Sequence, residues 1–312
     1  MQKDFSIVIP VFNEEESLRE LMANIKKAFS NVKKTYEVIF VDDGSTDGSL
    51  EILKQFVHAN KNIKVCSFRK NLGKSPALML GFQKATGKFI ATLDADLQDD
   101  PANIIPLYQR LTNSKLDLVT GWRKQRRDNL FKVATSRIFN KIVSIMFGVK
   151  LHDLNSGLKL YRSETAKELR IYGGMHRFIP IIAADIGFNV GEKDITHHVR
   201  KYGVSKYKFT KIFTDIPDLI TIYFITKYNR RPLHFFGKIG SLIFSIGLVA
   251  LLYLFYLRLT GERIGDRPLL LFGILLVLVG IQIALTGLVA DLIVNKNEKD
   301  KDYYPMKYES EN

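Results

Sequence analysis

The sequence predicts an α/β domain on a mostly parallel sheet, followed by two membrane-spanning helices. Three observations lead there. Up to about residue 230, short apolar runs alternate with helically spaced apolar residues, the pattern of parallel strands joined by right-handed crossovers. Three of those runs stop in polar or acidic turns, at Pro10–Glu14, Asp42–Asp47 and Asp94–Asp99. Finally, Ile239–Leu257 and Pro268–Ala290 each run without a charge, long enough to cross a hydrocarbon core.

Taken in order, Phe5–Val11 reads as a first strand, and a helix carrying Leu18, Leu21, Met22 and Ile25 at helical spacing opens after Phe12-Asn13-Glu14. Tyr36–Val41 is a second strand, and Ser45 or Thr46 is placed to cap the helix Gly48–His58. Ile63–Phe68 is a third, and Asn71-Leu72-Gly73-Lys74 opens a helix up to Gly87. Phe89–Leu93 is a fourth, closed by Asp94-Ala95-Asp96-Leu97-Gln98 and a proline suited to a helix start. Asp117–Thr120 is a fifth, followed by Gly121-Trp122-Arg123. Asn129–Phe147 interleaves Lys132, Arg137 and Lys141 with apolar residues, as a helix on a membrane surface or over the sheet would. Lys208–Arg231 reads as one or two amphipathic helices interrupted at Pro217, in the interface plane.

Net charge of +14 and a pI near 9.6 point to an anionic partner. The single cysteine, Cys66, excludes an internal disulfide framework. No charged-then-apolar leader stands at the start, so no signal peptide is expected. The mean hydropathy of −0.02 hides the shift between a polar first part and the two apolar runs. Lys227, Arg230, Arg231 and Lys238 precede the first run, and Lys296, Lys299 and Lys301 follow the second. The intervening loop, Arg258–Arg267, sets its arginines against Glu262 and Asp266. The positive-inside rule then places both termini in the cytoplasm.

Parallel strands end on one sheet edge, where open α/β sheets bind ligands. Carboxylates from three turns therefore converge there, and Asp94 and Asp96, two apart at a strand end, suit one hard divalent cation shared with substrate phosphates. Two other chemistries are excluded by the motifs. A haloacid-dehalogenase-like phosphatase wants Thr or Val where Gln98 stands, and a Rossmann oxidoreductase wants a glycine-rich turn where Phe12-Asn13-Glu14-Glu15 stands.

Seven motifs stand in one order: Ile9–Glu15, Val41–Asp47, Asn71–Lys74, Leu93–Gln98, Gly121-Trp122-Arg123, Asp153 with Gly157, and Arg200-x-x-Gly203-x-Ser205-Lys206-Tyr207. Together they resemble the family-2 glycosyltransferases of GT-A fold, and within them the polyprenyl-phosphate sugar synthases of the dolichol-phosphate mannose synthase and bacterial GtrB-like group. The resemblance implies a GT-A (Rossmann-like) catalytic domain, juxtamembrane amphipathic helices and two transmembrane helices. On this sequence these fall at 1–205, 206–234 and 235–294 (spans at about 236–257 and 268–290), with a charged cytoplasmic tail at 295–312.

The resemblance further implies inverting transfer of a hexose from a nucleotide sugar of UDP-glucose or GDP-mannose type to polyprenyl phosphate. Asp94, Asp96 and Gln98 are implied as ligands of Mg²⁺ or Mn²⁺. Pro10, Phe12, Glu14, Asp42 and Asp43, with Asp94, Ala95, Asp96 and Gln98, would hold the nucleotide sugar. Arg123, Arg137, Arg200 and Lys206 would bind phosphate of donor or acceptor, a task that suits bidentate guanidinium and point-charge ammonium groups. Asp153 aligns with a carboxylate given a base or a positioning role; the alternative is a structural turn residue. His197 and His198 read as packing or acceptor-side contacts. A homo-oligomer is compatible with paired spans, and no nucleic-acid partner is expected. The competing readings are transfer to another membrane lipid or glycan, and a non-catalytic membrane-anchored nucleotide-sugar binder.

Overall fold

The computed structural model describes residues 3–124, 143–199, 201–202, 211–228 and 232–299, with backbone alone at 211–218, 225 and 295–299. Arg137, Arg200 and Lys206 lie outside the described residues, as does 129–142 of the expected surface helix Asn129–Phe147, whose remainder at 143–147 is helical. The chain divides into two compact units, Met1–Asp218 and Leu219–Asn312.

In the first unit, β1 (Phe5–Val11), β2 (Tyr36–Asp42), β3 (Ile63–Ser67), β4 (Phe89–Thr92), β5 (Leu118–Trp122), β6 (Lys159–Arg162) and β7 (Val190–Asp194) form one sheet. Its order is β3-β2-β1-β4-β6-β5-β7. Only β6 runs antiparallel, against β4 and β5; the remaining pairs are parallel. The mostly parallel α/β class expected from the alternation is the class observed. The helices α1 (Glu15–Ser30), α2 (Ser49–Ala59), α3 (Lys74–Lys84) and α4 (Ile104–Asn113) alternate with the first five strands. Further on come the short helices α5 (Ser163–Glu168) and α6 (Ile179–Asp185). Phe5, Ile7, Ile9 and Val11 of β1 pack with Leu18, Leu21, Met22, Ile25 and Phe29 of α1 in a single core. Each such side chain contributes about 1.5–3 kcal/mol by leaving water.

Several boundaries differ from those expected. Ser45 and Thr46 do not cap α2: Ser45 accepts from the Asn13 amide and Thr46 pairs with the Asn13 side chain. The free amides at that helix start go instead to Asp47, which accepts from Ser49, and to Glu15, which accepts from Gly48. α3 starts at Lys74, not Asn71, because the Asp43 carboxylate takes the Leu72 and Gly73 amides and Gly73 turns at φ +98°. β5 continues to Trp122 because β7 supplies partners for Gly121 and Trp122.

Residues 211–228 form one helix, α7 (Lys211–Tyr228), which passes through Pro217 where an interruption was expected. A proline there removes one backbone hydrogen bond while the turns on either side keep theirs. In the second unit, α8 (Pro232–Leu259) and α9 (Pro268–Lys299) pair along their lengths. Glycines set their approach. A Cβ on Gly240 would lie 2.6 Å from the Gly280 carbonyl, and one on Gly280 would lie 2.6 Å from the Phe244 amide, the small-residue contact by which apolar helices pack. Pro232–Leu259 and Pro268–Val294 are long and apolar enough to cross a membrane. Most of the apolar residues of both helices are exposed, which separates them from core helices of a soluble protein.

Glu37 on β2 anchors a buried polar cluster that ties β1, β2 and the chain before β4 together. It accepts from Ser6 Oγ (2.6 Å), the Thr86 amide (2.7 Å) and Thr86 Oγ1 (2.8 Å), and pairs with Lys64 at 2.8 Å. Burial opposes its ionisation, yet Lys64 and these donors hold its pKa at about 2, against an ordinary 4.5. A depressed carboxylate stabilises the fold above its unfolded-state pKa, and that contribution is lost as pH falls through the folded-state value. Between pH 4.5 and about 2 the unfolded chain takes up a proton that the folded chain refuses. Glu37→Gln is expected to flatten the fall in melting temperature over that window, measured in detergent solution; an unchanged slope would contradict this assignment.

Candidate active site

The three parallel strands β1, β2 and β4 deliver their carboxyl ends to one edge: Val11 is in register with Asp42, and Val8 with Thr92. The turns after β1 and β2 are laced together. Asn13, at φ +54°, donates through its amide to Ser45 Oγ and accepts from the Thr46 amide at 2.8 Å, while the Glu14 amide reaches Ser49 Oγ at 2.9 Å. Asparagine tolerates that left-handed backbone. The bracing leaves Pro10, Phe12 and Glu14 half-buried along the edge.

Asp42 and Asp43 face inward. Asp42, 1% exposed, accepts from the Ser45 amide and from Ser67 Oγ at 2.6 Å. Asp43 accepts from the Leu72 amide at 2.7 Å and the Gly73 amide at 2.9 Å. Both carboxylates shape the loops of this edge, a use that an acidic motif in a sequence does not reveal.

Asp94 follows β4 after Leu93 and rests against the backbone of Gly157, where any Cβ would stand 2.5 Å from Asp94 Oδ2. Thr92 Oγ1 fastens the same loop by donating to the Gly157 carbonyl at 2.8 Å. Lys74 Nζ, at the start of α3, meets Asp94 Oδ1 at 2.5 Å. Burial works against the Asp94 charge, but the Lys74 ammonium, with Lys159 behind it, holds its pKa below the usual carboxylate range. Ala95 is buried, Asp96 accepts from the Gln98 amide at 3.2 Å, and Leu97 between them adopts φ +62°. A bulky side chain in the left-handed region marks a turn held in place by its surroundings. The structure thus brings Asp94, Ala95, Asp96 and Gln98 onto one turn, with a cation already on Asp94.

On the other side, Arg123 at the end of β5 forms a bidentate pair with Asp153, Nε to Oδ2 at 2.7 Å and Nη2 to Oδ1 at 3.0 Å. The two side chains are 12% and 4% exposed. Despite its burial, Arg123 is held firmly charged by Asp153, with Asp99 and Asp94 adding to the effect. Two of its donors are therefore spent inside the protein.

Three residues at this edge have no site role assigned from sequence. Lys74 stood within the Asn71–Lys74 motif without an assigned partner. Lys159 on β6 is 4% exposed and donates to the Ser156 carbonyl. Burial lowers it to about 7, the Lys74 ammonium adding to the pull and Asp94 and Asp153 opposing it. His176 hydrogen-bonds Ser75 Oγ through Nδ1 at 3.1 Å. Burial, then the Lys74 charge, pushes its pKa to about 3, so it is neutral.

The Gly157 contact yields a direct test. Gly157→Ala is expected to push the Asp94 carboxylate aside and to reduce activity by about 100-fold, the cost of misplacing a positioned group by roughly 1 Å, with circular dichroism unchanged. Full activity in a folded Gly157→Ala variant would contradict the cradle.

Comparison with known proteins places these features. The model of the family described as "Glycosyl transferase family 2" matches residues 6–170. Dodecaprenyl-phosphate galacturonate synthase of Rhizobium johnstonii is 37% identical over 302 residues, covering 95% of this chain and 89% of that protein. Undecaprenyl-phosphate 4-deoxy-4-formamido-L-arabinose transferase of Photorhabdus laumondii is 34% identical over 294 residues, covering 93% and 89%. Among solved structures, glucosyl-3-phosphoglycerate synthase from Mycobacterium tuberculosis, in complex with Mn²⁺, UDP-glucose and phosphoglyceric acid, superposes with a TM-score of 0.54 at 17% identity, over 72% of this chain and 79% of that one. At that identity the likeness shows the shared GT-A fold alone. A family match across residues 6–170, together with relatives aligned over nearly their whole length, means that this chain is a glycosyltransferase and belongs to glycosyl transferase family 2.

Proposed function

We propose that the chain transfers a glycosyl group, with inversion, from a nucleotide sugar to a polyprenyl phosphate at the cytoplasmic face of a membrane. The observation that carries this reading is the Asp94–Gln98 turn, with Lys74 on Asp94, at the ligand edge of the sheet. Two apolar helices follow it in the same chain. Both named relatives, which carry polyprenyl phosphates in their names, align across nearly the whole of this chain. A hexose donor of UDP-glucose or GDP-mannose type remains the reading of the motifs; the relatives' names extend the sugars to be tried to a uronic acid and a formamido-arabinose.

Asp94, Asp96 and Gln98 offer only oxygen donors suited to a hard cation, and the Lys74 ammonium on Asp94 marks that position as cation-seeking. These residues fit Mg²⁺ or Mn²⁺. Such an ion would neutralise the diphosphate and make it a better leaving group. The chain's own residues do the rest. Phe12 offers a face for the base, Pro10 and Glu14 line the nucleoside's edge, and Asp42 and Asp43 act through the loops they brace. Lys74 is placed to move from Asp94 to donor phosphate.

The acceptor phosphomonoester, with a second pKa of about 6, is largely dianionic at neutral pH. One of its oxygens forms the new bond to the anomeric carbon. The bond from that carbon to the diphosphate oxygen breaks, and its electron pair leaves with the nucleoside diphosphate. No strong base is needed, which suits an Asp153 already committed to Arg123. Asp153 then serves to position Arg123, whose remaining donors, with Arg137, Arg200 and Lys206, bind phosphate.

A panel of radiolabelled nucleotide sugars offered with polyprenyl phosphate, in detergent with Mn²⁺, is expected to give a lipid-linked sugar from at least one donor. No product from any donor would leave the non-catalytic binder as the better reading. Product only with another lipid or glycan would favour the other acceptor class. Asp96→Ala is expected to lower turnover by at least about 100-fold, the upper end of what an outer-shell partner of a metal site costs, with the melting temperature retained. Retained activity in metal-free buffer would contradict the metal assignment.

A further inference from the structure

We infer that a buried Asp99–His197 pair, with the short backbone ladder around it, is a clamp that holds the Asp94–Gln98 turn in the shape the donor's diphosphate requires. The inference rests on the functional reading above. Asp99 and His197 are 98 residues apart in the chain by their numbers yet face each other as an isolated antiparallel bridge. Both side chains are 4% exposed, with Asp99 Oδ1 and His197 Nδ1 3.5 Å apart. Neither atom has a hydrogen-bond partner among the described residues. These two buried atoms face each other, so removing either group leaves the other's buried polar atom without its neighbour and away from water.

The residues around the pair extend the grip. The His198 amide donates to the Gln98 carbonyl at 2.8 Å. The Asn103 side chain donates to the Thr196 carbonyl at 3.3 Å and accepts from the Thr196 amide at 3.4 Å. Residues 196–198 therefore hold the chain from Gln98 to Asn103 at three successive points. They are themselves anchored to the sheet, since the Ile195 amide donates to the Trp122 carbonyl at 3.0 Å just beyond β7.

Gln98 and the left-handed Leu97 sit immediately before Asp99. The turn's own hydrogen bond, from the Gln98 amide to Asp96, is 3.2 Å long. The clamp supplies the outside support that such a backbone needs. Asp99 and His197 thus act through Asp96 and Gln98, as positioning residues.

The test uses the full chain in detergent and measures Mn²⁺ affinity by electron paramagnetic resonance of the free ion, with UDP and separately with GDP, beside kcat, both KM values and the melting temperature. His197→Ala is expected to weaken Mn²⁺ binding by about 10- to 100-fold, the range seen when the support of a metal ligand is lost. It should lower kcat while leaving KM for polyprenyl phosphate unchanged. His197→Gln, which keeps a side-chain donor, should restore part of both. Where His197→Ala does not fold, Asp99→Asn, nearly isosteric, is expected to show the same loss of Mn²⁺ affinity. Variants that match the unaltered chain in Mn²⁺ affinity and kcat overturn the clamp alone. Failure of the unaltered chain to bind Mn²⁺ with either nucleotide overturns the functional reading and the clamp's role with it.

Discussion

The arrangement depends on the seating of one carboxylate. Asp94 leaves the end of a buried strand, lies against a glycine backbone that admits no side chain, and is met by an ammonium at 2.5 Å. Each of those contacts comes from a different part of the chain: β4 supplies the direction, the loop before β6 the cradle, and the start of α3 the cation. The Asp43 carboxylate, by taking the Leu72 and Gly73 amides, sets where α3 begins and so where Lys74 can reach. Sheet, loops and charge therefore meet in a single contact, and Lys74 holds there the charge that the proposed donor complex would replace.

Cations crowd this edge, in keeping with the chain's net charge of +14. They are not equivalent. Arg123 is committed to Asp153 through two bonds and is 12% exposed. Lys159 is buried and brought down to about 7, and His176 is held neutral. Lys74, with a side chain 31% exposed and paired with an Asp94 that is 34% exposed, is the more accessible partner in this group. The buried groups lie behind, and the Lys74–Asp94 pair, about a third exposed, is the part open to solvent. Strong pairing inside a low-dielectric edge stiffens the geometry before any ligand arrives, which is how a site reduces reorganisation during reaction.

Much of the fold is legible in the sequence because its signals are local. The run Phe5–Val11, the helical spacing of Leu18 to Ile25, and the uncharged stretches after Ile239 and Pro268 each need only neighbours to be read. The acidic strand ends are legible for the same reason, and ordered motifs identify the family. What stays hidden is pairing across distance. Nothing near Lys74 announces Asp94, nothing near Ser75 announces His176, and the histidines at 197 and 198 carry no sign that Asp99 and Gln98 lie opposite. An acidic motif also hides what its carboxylates do inside the fold: Asp42 and Asp43 accept from backbone amides and Ser67, bonds that no neighbour in sequence announces. The strands β6 and β7 depend likewise on partners that a short window does not contain.

The most direct test of the account is a structure of the full chain with Mn²⁺ and a nucleoside diphosphate, with the ion located by its anomalous scattering. The account predicts an anomalous peak between the Asp94 and Asp96 side chains and the diphosphate, with Lys74 Nζ moved from Asp94 onto phosphate. A nucleotide bound away from the ends of β1, β2 and β4, or an ion elsewhere with the Lys74–Asp94 pair intact, would contradict it.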